Sequence, residues 1–458
     1  MLPRFRIVHR LRPVALVAPG FTTVDVGFPS VGPDRMVQPM PQPAPYAAVE
    51  AELGVAGPGV LSIRLEGAGG VALSGRYDVR RSRLGLSVTD ATGRTTYHRS
   101  RRHGRLSGRP RAVALTLTGT WVTVWADNGD GWTARGRVHL DGRVNLRDEG
   151  FCRSLAGGYA WTGTPPAPVT RLRAGGFGQL GLRDLRLVTT PEGEPWRQDG
   201  LLFFTASSAG PGFFATGHTS VWSLDETTLD VDHRADLFFR RPDRPGVFGD
   251  HSTHLLRDGD RWLVATSTWG DFERARPGAT VGATLAETRE DLLTGRHVLD
   301  TRSLVVPTDG LNSVGVWDPH LARDGDAWLV GFVSATRFFR FHPALASGPD
   351  LEHLTLLGAA RDRVATEGTT LTRIDGQWRV LASDGRDGRP GQRQRFPVFD
   401  LGLAEIGAVD APYPTNLPWP SLVRSGDGWL LLAFNGRGYG GPLPGYGTHG
   451  DIVVMRAP

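Results

Sequence analysis

No lysine occurs in this sequence, so its 52 basic residues are all arginine. Set against 47 acidic residues they leave a formal net charge of +5, which is modest for 458 residues. The arginines gather only around Arg80, Arg81, Arg83, Arg99, Arg101 and Arg102, and a phosphate-binding surface needs a denser basic stripe than that. No nucleic-acid partner is expected. Cysteine is nearly absent: Cys152 stands alone, which excludes an internal disulfide and leaves no zinc-type Cys/His spacing around it. Long apolar runs are missing too. Residues 1–20 carry Arg4, Arg6, Arg10 and Arg12 but only residues 13–18 as an apolar stretch, shorter than a usual signal-peptide core and without a clear cleavage site. Nothing reaches the length of a membrane helix, so no membrane partner is expected and a cytoplasmic protein is the default, or a secreted one if a leader is missing. Finally, no long stretch places apolar residues at helical spacing.

What the chain does have is punctuation. Its 61 glycines and 33 prolines are spread rather than clustered, which suits many short strands joined by tight turns. Its length allows two well-buried cores. Within the second half one pattern recurs. Gly315-Val316-Trp317-Asp318-Pro319-His320 leads through the turn Asp324-Gly325-Asp326 into an apolar strand over residues 328–334. Upstream, Gly249-Asp250-His251-Ser252-Thr253-His254 leads through Asp258-Gly259-Asp260 into residues 262–267; downstream, Thr366-Glu367-Gly368-Thr369-Thr370-Leu371 leads through Asp375-Gly376 into residues 378–383. A fourth copy has no acid: Asn416-Leu417-Pro418-Trp419 leads through Gly426-Asp427-Gly428 into residues 429–434. The tryptophans Trp262, Trp328, Trp378 and Trp429 mark these strands at intervals of 66, 50 and 51 residues, a period suited to one propeller blade. They are expected to be blade core. A further copy, with the turn Asp199-Gly200 and strands over residues 201–207 and 219–224, brings the count to five blades across residues 191–458.

The remainder reads differently. Residues 1–45 are proline-rich and aperiodic, which predicts an extended arm or linker. Residues 46–190 show short alternating strands at 59–65, 83–88, 112–117 and 120–126, separated by glycine-rich turns, which predicts a β-sandwich. Its closing strand is expected at Leu180-Gly181-Leu182-Arg183-Asp184-Leu185-Arg186-Leu187-Val188, which resembles the last strand of laminin-G-like and concanavalin-like jelly rolls. The expected fold is therefore all-β, a sandwich followed by a five-bladed propeller.

In a propeller the innermost strands converge on one axis, so the acids heading three successive copies, Asp250, Asp318 and Glu367, are expected to face one cavity. Taken singly, each has an ordinary reading: Asp318 a turn cap, Glu367 a solvated strand end, Asp250 an ion-pair partner of Arg257. Three carboxylates at one place in consecutive repeats repel one another and lose solvation, a cost that metal binding or acid–base chemistry can justify.

These motifs resemble those of glycoside hydrolase family 43 and its relatives. Trp317-Asp318-Pro319-His320-Leu321 is similar to the family's middle motif, and Thr366-Glu367-Gly368-Thr369-Thr370-Leu371 to its acid motif. The resemblance implies Asp250 as general base, Asp318 as the residue that positions and tunes the acid, and Glu367 as general acid. It departs from the family where Asp250 is followed by His251 instead of proline and lies in the second blade. It also implies a glycosidase acting on furanosides or xylosides in an oligosaccharide or polysaccharide, with inversion if base and acid stand roughly 6.5–9.5 Å apart. His251, His254, Trp269, Asp271, Trp317, His320, Arg337, Asp384, Asn416, Trp419 and His449 are candidates for contacting the sugar, tryptophan by stacking and the polar groups by hydrogen bonds. No cofactor is expected to be required; a structural calcium near the axis, suggested by His449 through the resemblance, is the one metal to look for. Competing readings are a propeller sugar phosphorylase or retaining fructosidase-type transferase, with Arg337, Arg386 and Arg389 as phosphate-binding candidates, and a carbohydrate-binding propeller without catalysis. Oligomeric state is not readable.

Overall fold

The structure is a computed structural model and describes residues 3–436 and 450–458, except residues 56 and 141. It is almost entirely β, with one short helix, Glu149–Arg153, and two 3-10 turns among the described residues. Among the described residues no helix is long and apolar enough to cross a membrane.

Five sheets are built on antiparallel meanders that begin at an inner strand and step outward; the first also takes in Arg197–Gln198 and, in parallel pairing with Val231–Arg241, Gly295–Asp300. The first comprises Leu182–Leu187, Leu201–Ser208, His218–Asp225 and Val231–Arg241, extended by Arg244–Phe248. The second runs through His251–Asp258, Arg261–Ser267, Ala283–Thr288 and Arg302–Ser303. Gly315–Asp324, Ala327–Arg337, Arg340–Gly348 and Thr355–Ala359 form the third; Thr366–Ile374, Gln377–Asp384, Phe396–Phe399 and Glu405–Val409 form the fourth. The fifth takes Ser421–Ser425, Gly428–Asn435 and Asp451–Ala457 from the C-terminal end and Arg6–Leu11 from the N-terminal end.

Apolar clusters fill the gaps between consecutive sheets. Phe203, Val221, Leu255 and Trp262 join the first to the second, and Leu263, Leu321 and Trp328 the second to the third. Leu329, Leu371 and Trp378 join the third to the fourth, and Leu381, Leu422 and Trp429 the fourth to the fifth. Leu182, Leu202, Leu430 and Ile452 return from the fifth to the first, which closes the ring. All four marker tryptophans lie in these gaps. Each also faces the arginine paired with it across the first hairpin of its sheet, Arg257, Arg323, Arg373 and Arg424, at 4.6, 4.4, 4.8 and 4.1 Å from ring centre to guanidinium carbon. The repeat is thus also a repeated cation–π contact, with the arginine five positions before its tryptophan.

The other two sheets have six strands each. One is ordered Trp132–His139, Trp121–Asp127, Ala112–Thr118, Tyr46–Leu53, Val169–Gln179, Ala15–Gly27; the other Arg35–Pro39, Ala156–Gly163, Gly59–Glu66, Ala72–Asp78, Arg83–Thr89, Thr95–His98. Alternating side chains such as Val49, Leu115 and Val124 from the first meet Ile63, Leu73 and Leu86 from the second in one core. A second cluster, including Leu16, Tyr46, Trp125, Phe177, Phe238 and Val247, packs the first of these sheets against the first meander. The Tyr46 hydroxyl there donates to the Gly217 carbonyl at 2.8 Å.

Two expected boundaries are corrected. Residues 1–45 are not a free arm: Arg6–Leu11 is the outer strand of the fifth meander, and Ala15–Gly27 and Arg35–Pro39 each join a six-stranded sheet. Their sequence has too little alternation to show this, because outer strands are half exposed on both faces. Nor does Leu182–Leu187 close the N-terminal sheets; it pairs with Leu201–Ser208 and is the inner strand of the first meander. The pattern hid it because eleven residues, 188–198, separate it from its partner's turn, where the other copies have a tight hairpin. Cys152 is buried, its thiol pushed up to about 12 by burial, as suits a structural residue.

Candidate active site

Each of the first four inner strands begins with the same irregularity. Pairing with the second strand slips between Arg183 and Arg186, His251 and His254, Trp317 and His320, and Glu367 and Thr370. Inside each slip one residue has left-handed backbone: Asp184 (φ 55°), Ser252 (φ 62°), Asp318 (φ 58°) and Gly368 (φ 76°). A regular strand sends neighbouring side chains to opposite faces. These bulges break that alternation, so Arg183 with Asp184, His251 with Ser252, and Trp317 with Asp318 all line one cavity of about 220 Å³, together with Glu367, Asn416 and Trp419. Left-handed aspartates cost of order 1 kcal/mol or more of strain each, and such strain tends to be retained at functional sites.

Asp250 is not in that cavity. It stands just before the slip of the second sheet, at the position Leu182 occupies in the first, and its side chain turns the other way. There it is wholly buried, accepting from Arg241 Nε at 2.8 Å, from Arg241 Nη2 and from the Gly270 amide at 3.0 Å. Arg241 also donates to Asp271 at 2.7 Å, so Asp250 and Asp271 brace the junction of first and second sheets and neither lines the acid-lined cavity. The partner expected for Asp250 in its ordinary reading, Arg257, packs on Trp262 instead.

The acid that takes the vacated place is Asp184. Its Oδ1 lies 2.5 Å from Arg183 Nε, and its Oδ2 accepts from the Ser252 hydroxyl at 3.3 Å. Arg183 Nη2 is 3.7 Å from Glu367 Oε1, so one guanidinium spans two of the three carboxylates. Asp318 Oδ2 accepts from the Gly368 amide at 3.3 Å. Burial raises Glu367 to about 7; Arg183 opposes the shift and Asp184 adds to it. Burial also raises Asp318 well above the carboxylate range, with Glu367 the next contributor and Arg186 opposing. The pair therefore holds a proton near neutral pH.

Beneath the acids, Arg186 is fully buried and acts as a clamp. It donates to the carbonyls of Asp318 and Thr369, both at 2.9 Å, and stacks on Trp419 with its guanidinium carbon 4.6 Å from the ring centre. His254 and His320 stack below at 3.8 Å; burial lowers both well under the usual histidine range. Two buried parallel rings this close cannot both be charged.

Of the other expected sugar contacts, His251, Trp269, Trp317, Asn416 and Trp419 line the cavity. Burial lowers His251 to about 4, so its ring is neutral at pH 7. The indole N–H groups of Trp317 and Trp419 are buried, lie near Glu367 and close no well-formed hydrogen bond. His254 and His320 are packed under the floor. Arg337 is exposed in the hairpin turn beside the cavity-lining Phe338 but does not line the cavity itself, and Arg386 and Arg389 are exposed in their loop. Asp384 is buried away from the cavity, accepting from Thr366 at 2.6 Å and Arg395 at 3.1 Å. His449 lies outside the described residues. Among the described residues no group of three or more His, Cys, Asp or Glu side chains is arranged to hold a metal, and the Arg186 guanidinium occupies the centre below the acids. The residues described do not fit an axial calcium.

Arg183, Asp184, Ser252 and the phenylalanines of the cavity wall were not singled out from sequence. Phe214 stacks on Trp269 at 4.3 Å, and Phe272 and Phe338 lie 4.7 Å apart. For Asp184 the signal existed: an acid in an alternating apolar strand, followed by an Asp-Gly turn and another apolar strand.

No protein-family model matches the sequence, and no curated protein matches it. Among solved structures the chain is similar to glycoside hydrolases. A GH32 β-fructofuranosidase from Bombyx mori is 14% identical, with 59% of each chain covered and a TM-score of 0.40. A family 117 glycoside hydrolase from Zobellia galactanivorans is 10% identical over 60% of this chain and 84% of its own, at a TM-score of 0.44. The GH43_1 enzyme from Xanthomonas citri, solved with xylose, is 11% identical over 61% of this chain and 87% of its own, at 0.42. The Bombyx mori match takes in less than two thirds of that enzyme's length. Likeness at this level assigns no substrate or residue role; those rest on the cavity itself.

Proposed function

We propose that this chain is a glycoside hydrolase acting on a furanosidic or xylosidic bond of an oligosaccharide or polysaccharide, its five meanders forming a five-bladed propeller and its two six-stranded sheets an attached β-sandwich. The observation that carries the reading is the convergence of Asp184, Asp318 and Glu367 on one cavity, with a proton held on the Asp318–Glu367 pair near neutral pH. Cleaving a glycosidic bond needs a protonated acid beside the leaving oxygen and an ionised carboxylate on the other face of the sugar. Glu367 gives its proton to the glycosidic oxygen as the bond to the anomeric carbon breaks. Asp184, hydrogen-bonded by Arg183 and Ser252, takes a proton from the water that attacks that carbon. Asp318 keeps Glu367 protonated between turnovers. With Asp184 activating water instead of attacking the carbon itself, the product is the inverted anomer. Trp317 and Trp419 offer their N–H groups to the sugar or to the charge that develops on Glu367.

A panel of aryl arabinofuranosides, galactofuranosides, xylosides and fructosides tests this, with proton NMR of the first-formed anomer. Glu367→Gln should lose hydrolysis of substrates with poor leaving groups but keep much of it on dinitrophenyl glycosides, which need no proton. Equal activity of wild type and variant on every substrate would remove Glu367 from the mechanism; a retained anomer would make Asp184 the nucleophile. Arg183, a half-buried cation 3.7 Å from Glu367, favours phosphorolysis as the second reading, and turnover that requires inorganic phosphate would select it.

A further inference from the structure

The acid-lined cavity, about 220 Å³, is on the scale of one or two sugar rings, too small for a chain of several sugars. It is not a dead end. Phe213, Phe214, Phe272 and Phe339 line both it and a second cavity of about 590 Å³. The far wall of that second cavity comes from the other part of the molecule. Trp121 and His139 are directly paired on neighbouring strands of the first six-stranded sheet, and their rings stack at 4.5 Å and 10°. Glu273 and Arg274 from the second meander line its near side, and Arg274 packs on Phe339 at 5.3 Å.

Resting on the glycosidase reading, we propose that this second cavity binds the further sugar units of an extended oligosaccharide, so that the N-terminal sheets supply part of the substrate cleft. Aromatic faces alternating with charged, planar hydrogen-bonding groups match the C–H faces and hydroxyls of linked sugars. An acyl chain would leave Glu273 and Arg274 without partners. The two walls are held at a fixed distance. Buried Arg147, from the N-terminal part, donates to the carbonyls of Gly270 at 2.7 Å and Val247 at 3.2 Å, which ties the loop after Trp269 to the sheet region that carries Trp121. Phe213 and Phe339, 55% and 46% exposed, stand at the junction as the aromatic rim a passing chain would cover.

Dissociation constants decide this, measured for arabino-, xylo- and fructo-oligosaccharides of one to six units. The protein is the full chain carrying Glu367→Gln, alone and with Trp121→Ala or Arg274→Ala added. In one of the three series affinity should rise roughly tenfold or more between one and four units, and each added substitution should remove about fivefold of that gain while leaving the monosaccharide unaffected. Affinity independent of length in all three series, absence of binding in all three, or a length dependence that both substitutions leave intact overturns the proposal. Should Trp121→Ala fail to fold, Arg274→Ala at the rim decides alone. Wild-type turnover of the aryl glycosides is read separately. No turnover there, with length-dependent binding still sensitive to these positions, would sink the catalytic reading and keep the cleft.

Discussion

Asp184 and Asp250 head the inner strands of adjacent sheets, and their chains differ there by a shift of register. Asp184 sits inside the bulge with left-handed backbone and faces the cavity. Asp250 sits one step before the equivalent bulge, faces the sheet junction and is locked by Arg241. The second sheet fills the cavity positions with His251 and Ser252 instead. One acid is available to chemistry and the other is not, because at a bulge a displacement of one or two residues decides which way a side chain points.

The largest expected effects separate these two acids. Asp184→Asn and Glu367→Gln should each lower kcat on unactivated glycosides by about 10²- to 10⁴-fold with the circular dichroism spectrum unchanged. Asp250→Asn should do the opposite, lowering stability by about 3 kcal/mol, since Arg241 loses its buried carboxylate; the fraction that remains folded should turn over at close to the wild-type rate. Denaturant melts with activity measured per folded molecule check both halves. If Asp250→Asn abolishes catalysis in a stable protein, the two acids have been assigned the wrong way round.

The pH dependence sharpens the contrast. Glu367 binds its proton more tightly folded, at about 7, than its ordinary 4.5. Its contribution to stability is therefore complete below pH 4.5 and is lost as pH rises to about 7. Glu367→Gln should melt at a higher temperature than wild type at pH 8, by a few degrees, and the gain should vanish near pH 4. In wild type, kcat/KM should fall on the basic side with an apparent midpoint near 7 as the acid is lost. An activity plateau extending past pH 9 would remove the proton-donor role from the pair. The smallest effect concerns the framework that both acids hang from: Arg373→Ala should uncover Trp378 and cost about 0.5–1 kcal/mol, with no change in kcat.

Much of this molecule was legible because it repeats. The Asp-Gly turn followed by a tryptophan-led strand located four of the five meanders, and the acid in the same place of each copy found Asp318 and Glu367, which do meet in the cavity. Composition alone pointed to an all-β chain. Where the repeat was interrupted the reading slipped. The insertion at residues 188–198 hid the first inner strand, and with it Asp184; the half-exposed strands of residues 1–45 looked like a linker because their partners lie more than a hundred residues away.

Local sequence determined which residues form strands and turns, since alternation and turn chemistry act over a few neighbours. Tertiary structure alone decided that the N-terminal strand closes the fifth sheet, that Arg241 claims Asp250, and that Trp121 lines the second cavity beside the acid-lined one. Each of those depends on the direction a side chain takes at a bulge or on pairing between distant segments, and neither is set by the residues next to it in the chain.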